Sequence, residues 1–188
     1  LKYLITNRNK KLLPETIVED LFPEHELSNP NNVLRSQIYR LRRFIKENFG
    51  EAAADEYMSI SFVGRYYVFT LGGKAYLDVD LFEERLNRAK ELKNNENGKA
   101  IDLYKKTIDL YKGAYLSEDC DYDWLILSRN YYSRLFINAL FYLIEMLKEA
   151  KDYASILEIC EEGIKIEPDE EGIHIYLIEA LCNLGLKK

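Results

Sequence analysis

Histidine and cysteine are scarce in this chain, with two and three copies respectively among 188 residues. His25 and His174 lie far apart, and neither has ligand-like neighbours at metal-binding spacing. Cys120, Cys160 and Cys182 form no Cys-x-x-Cys pair, and their odd number argues against a disulfide framework. They read as small buried hydrophobes in a reducing cytosol. There is one tryptophan, four prolines and nine glycines, too few for a low-complexity or collagen-like chain. No apolar run approaches the roughly 20 residues that cross a bilayer, and residues 1–11 are short and polar-rich, unlike a signal peptide. These absences point to the cytoplasm and to no membrane partner.

Near-motifs for catalysis also fail. Gly72-Gly73-Lys74 suggests a phosphate loop, but Val68 stands where glycine is needed and Ala75 where serine or threonine is needed. Asp119–Asp123 begins like a calcium loop, but Trp124 takes the glycine position and Asn130 the final glutamate position. It reads as an acidic helix-capping loop. No nucleophile, acid–base pair or ligand cluster remains, so neither enzyme activity nor a cofactor or metal is expected. Trp124 reads as a core anchor and His174 as a helix-packing residue.

The net charge of −6 is unevenly spread. Residues 1–50 hold nine Lys/Arg and six Asp/Glu, a balance of +3, which leaves −9 for the rest. Asn31–Lys46 contains five basic residues and no acid. A basic stripe on an acidic protein is the electrostatic footprint of a nucleic-acid contact.

Periodicity organises the chain in two parts. Leu1–Thr6 reads as the end of a helix, in mid-pattern, so the first domain is expected to be N-terminally truncated. Leu13–Phe22 reads as a second helix, with Pro14 in its first turn and Pro23 as its stop. Asn29 is placed to cap a third helix from Asn31 to about Asn48, with Pro30 in its first turn. After a connector at Glu51–Glu56, Ser59–Phe62 and Tyr66–Thr70 read as strands joined by a tight turn at Gly64-Arg65. Three helices and a hairpin are the order of a winged helix. Beyond Asp78 only helices are expected. The first opens on an Asp80/Glu83 capping box, and Asn94–Gly98 is a polar break. The next covers Lys99–Lys112 with Gly113 as C-cap, and three follow near Tyr122–Glu149, Tyr153–Ile166 and Glu170–Leu184. At an offset of 34 residues, Leu143 meets Leu177, Leu147 meets Leu181 and Tyr142 meets Tyr176, the tetratricopeptide period. The fold class is therefore mainly α: a winged helix over 1–74 and an all-α, TPR-like helical-repeat domain over 75–188. Among the fifteen tyrosines, Tyr131, Tyr132 and Tyr142 are candidates for the interior, and Tyr115 and Tyr122 for a partner surface.

On a helical wheel of about 100° per residue, Leu34, Ile38, Leu41 and Ile45 of the third helix cluster on one side. The other side presents Asn32, Ser36, Tyr39, Arg40 and Arg43, flanked by Arg35 and Arg42. Arginine donates bidentately to guanine or bridges phosphates, and Asn, Ser and Tyr offer short polar contacts. Arg65 at the hairpin tip is placed to touch DNA backbone or minor groove. These eight residues are the candidate DNA-binding set, and double-stranded DNA is the expected partner.

The stretch Asn31-Asn-Val-Leu-Arg-Ser-Gln-Ile-Tyr-Arg-Leu-Arg-Arg resembles the recognition helix of OmpR-like regulators of the antibiotic-regulatory (SARP) type, and Ile60-Ser-Phe-Val-Gly-Arg-Tyr-Tyr-Val-Phe resembles their wing. The later text is similar to the bacterial transcriptional activator domain that follows in that family. The similar pieces are Asp78-Val-Asp-Leu-Phe-Glu, Tyr111-Lys-Gly-Ala-Tyr-Leu, Trp124 with Arg129, Asp152-Tyr153, Pro168 with Glu171 and His174, and Ala180-Leu to Gly185. The family's winged helix opens with a small sheet and a full first helix, and only the tail of that helix is expected in this sequence. The resemblance implies a transcriptional activator that binds DNA as a homodimer, contacts RNA polymerase and in some relatives carries a response-regulator receiver. The competing expectation is a TPR-like scaffold that binds protein and not DNA.

Overall fold

The computed structural model describes residues 1–23, 29–50, 54–93, 96–118 and 122–185. His25, Cys120, residues 51–53 of the expected connector, residues 94–95 of the polar break and residues 119–121 of the acidic loop lie outside the described residues. Among the described residues the chain forms nine helices and one two-stranded sheet, and it divides into two compact units. The first is Leu1–Leu77 with Asp119–Ser128. The second is Asp78–Glu118 with Arg129–Lys188.

The first unit opens with α1 (Lys2–Thr6) and α2 (Pro14–Leu21), then α3 (Pro30–Phe49) and the single turn α4 (Ala54–Tyr57). Asn29 starts α3 as its spacing requires: its Oδ1 accepts from the Asn32 amide at 3.2 Å, satisfying one of the free donors of the first turn. Strands β1 (Met58–Val63) and β2 (Tyr66–Leu71) pair antiparallel, from Met58 opposite Leu71 to Val63 opposite Tyr66. The two-residue turn between them works because Gly64 takes φ 65°, a conformation in which a Cβ is strained. Leu12 adds an isolated bridge to Tyr67, with amide–carbonyl bonds of 2.8 and 2.9 Å in both directions. A one-residue bridge has no period, so the hydropathy pattern gives no sign of it. The core gathers one stripe from each element: Tyr3 and Leu4, Ile17 and Val18, Leu34, Ile38 and Ile45, and Ile60, Tyr67 and Phe69. Trp124 packs on its edge, at 5.2 Å from the Tyr3 ring in a T-shaped contact.

The second unit contains α5 (Asp78–Leu92), α6 (Asn97–Ile108), α8 (Tyr153–Ile166) and α9 (Glu171–Asn183), together with α7 (Asp123–Glu149) from Arg129 onward. Helix α5 begins at Asp78, two residues before the expected capping box, and the Asp78 carboxylate accepts from the Val79 amide. Helix α6 ends at Ile108, not Lys112. Its cap is Asp109, two further turns close through Leu110 and Tyr111, and Gly113 falls in the loop beyond with φ 132°. Phe82, Leu86, Ala89, Ala100, Tyr104, Phe136, Leu140, Leu143, Ile156, Cys160, Ile173 and Ala180 form one continuous core. Gly163 lets the helices close up: a Cβ there would stand 3.0 Å from Leu140 Cδ1 and 3.3 Å from Ile173 Cδ1.

Hydrogen bonds join the dispersed pieces of this region. Arg129 donates from Nε to the Tyr115 carbonyl (3.0 Å) and from Nη2 to the Leu116 carbonyl (2.9 Å), bracing a loop in which Leu116 takes φ 50°. The Tyr111 hydroxyl donates to Glu167, and burial together with that carboxylate holds the phenol well above its ordinary pKa. The Asp152 carboxylate accepts from the Ser155 amide and caps α8, and hydrogen bonds from the Ser155 side chain and amide lower its pKa. His174 is exposed, with Nε2 2.8 Å from the Pro168 carbonyl. It closes the turn before α9 and does not pack between helices.

Two groups of expectations need correction. Tyr132 is buried, but Tyr131 and Tyr142 are 45% and 47% exposed, because they stand off the stripe that α7 turns to the core. Cys160 is fully buried and its thiol is pushed up to about 12 by desolvation, whereas Cys182 is exposed on α9.

Candidate nucleic-acid interface

Helix α3 is amphipathic along its length. Leu34, Ile38 and Ile45 are 3–5% exposed and face the first unit's core, with Leu41 partly buried beside them. Asn32, Arg35, Ser36, Tyr39, Arg40, Arg42 and Arg43 are all exposed, Tyr39 to 68%, and so is Arg65 at the hairpin turn. The outward face thus carries cations and short polar groups over five turns. Its one acid is Glu47, near the C-terminal end.

The flank facing the hairpin forms a cleft of about 220 Å³, lined by Pro14, Glu15, Asn31, Leu34, Arg35, Phe62, Arg65 and Tyr67. It brings Arg35 of α3 and Arg65 of the turn to one recess beside the start of α2. Arg65 also lies 5.9 Å from the Tyr66 ring centroid, a cation–π distance. Further along α3, Tyr39, Arg42, Arg43, Lys46 and Glu47 line a second depression. On the opposite flank, a groove of about 590 Å³ runs past Tyr3, Gln37, Arg40, Phe44 and Trp124.

Two arginines already have partners. Arg43 donates from Nε to Glu47 at 2.6 Å, an exposed pair one helical turn apart, and this bond raises its pKa further. Arg42 turns to the hairpin, donating from Nε (3.2 Å) and Nη2 (2.7 Å) to the Ile60 carbonyl. The helical wheel gives no hint of this second contact, because it depends on where the hairpin carbonyl comes to rest. Phe62 and Val63, 51% and 61% exposed at the wing tip, also fell outside the sequence-based set. Among the described residues no group of three or more His, Cys, Asp or Glu is arranged to hold a metal ion, and no helix is long and apolar enough to cross a membrane.

Three helices, a paired hairpin and an exposed basic third helix define a winged helix, here followed by an all-helical, TPR-like region. The comparisons with known proteins identify the family. The model for the bacterial transcriptional activator domain matches residues 77–188, more than half of the chain, and the chain belongs to that family. Among solved structures it is similar to Mycobacterium tuberculosis EmbR in complex with a low affinity phosphopeptide. The TM-score is 0.77 at 14% identity, covering 98% of this chain and 48% of that one. The likeness is one of fold, and the chain spans about half the length of that protein. No curated protein matches.

Proposed function

We propose that the chain is a sequence-specific, DNA-binding transcriptional regulator of the SARP type, acting as an activator in the cytoplasm. Helix α3 enters the major groove, and the Gly64-Arg65 turn acts as the wing. The observation that carries this reading is the outward face of α3, where Asn32, Ser36, Tyr39, Arg40 and Arg43 stand exposed. Arg35 and Arg65 line one cleft beside it. Phosphate contacts supply most of the affinity and base-edge contacts the selectivity. Arg40 and Arg43 are the candidates for bidentate guanine contacts, and Arg35 with Arg65 for phosphate. Residues 1–74, which lie within the first unit, form the DNA-binding domain. The helical region over 75–188 provides homodimer, effector or polymerase contacts. No catalytic step and no cofactor belongs to this reading.

The test is selection of bound sites from random double-stranded DNA with the full chain, followed by titration of the winning site. Recovery of a consensus supports the reading. A folded chain that enriches no sequence and binds no DNA at low salt favours the protein-binding scaffold.

A further inference from the structure

β1 is one strand of a two-stranded sheet, so only one of its edges pairs with β2. Carbonyls on the other edge need donors from elsewhere. Ile60 lies in the middle of β1, its side chain buried in the core and paired across the sheet with Phe69, which is fully buried. Its carbonyl oxygen receives two donors from one guanidinium, Arg42 Nε and Nη2. Arg42 projects from the flank of α3 beside a cleft floored by Ile45, Met58 and Ile60, with Asp55 and Lys46 at its rim. The contact therefore ties the helix to the hairpin at one backbone atom, and a charged donor makes it stronger than a neutral hydrogen bond. It also occupies the Nε–Nη2 edge of the fork, one of the edges through which arginine grips guanine or phosphate bidentately.

We propose that Arg42 is a positioning residue: it does not read DNA but braces the wing against α3, and so sets where Arg65 stands relative to the reading face. As a statement about DNA this rests on the reading above. As a statement about the hairpin it stands alone. A lysine at this position keeps a charged donor but loses the planar two-donor fork, whereas a glutamine keeps only neutral amide donors on a shorter side chain. A brace is felt by the hairpin in the free protein, whereas a phosphate contact is felt only on DNA.

The experiment uses the full chain as wild type, Arg42→Lys, Arg42→Gln, Arg42→Ala and Tyr39→Ala, each checked for folding by circular dichroism. In the free protein, amide hydrogen exchange across residues 58–71 is expected to quicken in Arg42→Ala and Arg42→Gln, less in Arg42→Lys and not in Tyr39→Ala. On selected DNA, Arg65→Ala is expected to weaken wild type about tenfold. The same change should matter about twofold or less in Arg42→Ala, because the wing is already released. Unchanged hairpin exchange in Arg42→Ala overturns the brace. So do penalties for Arg42→Ala and Arg65→Ala that simply multiply. If the wild type binds no DNA at all, the function proposed above falls, and hydrogen exchange alone decides the role of Arg42.

Discussion

Helices α3 and α8 bury themselves in the same way and present opposite surfaces. In α3 the buried stripe is Leu34, Ile38 and Ile45, and in α8 it is Ile156, Cys160 and Gly163. Outward, α3 shows Arg35, Arg40, Arg42, Arg43 and Lys46 against Glu47, whereas α8 shows Glu158, Glu161 and Glu162 with Lys165. Lys165 is already paired with Glu162 at 2.5 Å. Burial periodicity fixes how each helix docks and is silent about use. The sign and type of the exposed residues separate a surface suited to a polyanion from one that is merely solvated. The first kind of surface costs self-repulsion among like charges. Among the described residues of the helical region, α8 turns a mostly acidic face outward.

The largest effect expected is structural. Phe136 is fully buried and stacked on Tyr111 at 4.5 Å. Phe136→Ala should destabilise the helical unit by about 3–5 kcal/mol, read as a lower denaturant midpoint, and an unchanged midpoint would break the assignment of that core. Next come the reading residues: Arg40→Ala or Arg43→Ala should weaken binding to selected DNA by roughly 1–3 kcal/mol each with stability unchanged. Equal binding of both variants and wild type would remove the contrast between α3 and α8. Replacing the α8 cap is smaller. Asp152→Ala should cost about 0.5–2 kcal/mol at neutral pH. The Asp152 pKa is lowered in the fold, so this stabilisation is complete above the ordinary carboxylate range. It is lost as pH falls through the lowered value, and thermal melts of wild type and variant should converge in acid. A gap that persists there would mean the side chain does not act as a charged cap. The smallest effect is a gain: Glu47→Gln removes the one acid on the reading face and frees Arg43, raising DNA affinity by about 0.3–0.5 kcal/mol. Weaker binding by this variant would show that the ion pair helps to place Arg43.

Much of this arrangement is legible in the sequence. A strict 3.6-residue stripe placed the buried side of α3, Asn29 and Pro30 marked its start, and Gly64-Arg65 between aromatic and β-branched runs marked the hairpin. What escaped was non-local. The Leu12–Tyr67 bridge joins residues 55 apart and has no period. Arg42 bonds a carbonyl 18 residues away that no local rule can locate. Residue type misled at Tyr131 and Tyr142, because aromaticity measures what a side chain gains by burial and not which way the helix turns it. Gly113 misled because a glycine after a helical run serves a loop as readily as a C-cap, and here the helix had already ended. The roles of Asn32, Arg35, Ser36, Tyr39, Arg40, Arg43 and Arg65 rest on their exposure and chemistry.

The most direct measurement is the affinity of the folded full chain for a selected duplex across a salt series from about 50 to about 200 mM. With several α3 cations and Arg65 on phosphates, log affinity should fall linearly with log salt, with a slope of about −3 or steeper. The slope should become shallower by about one in Arg35→Ala. A flat salt dependence, or no binding at the lowest salt by a chain that circular dichroism shows to be folded, would contradict the account.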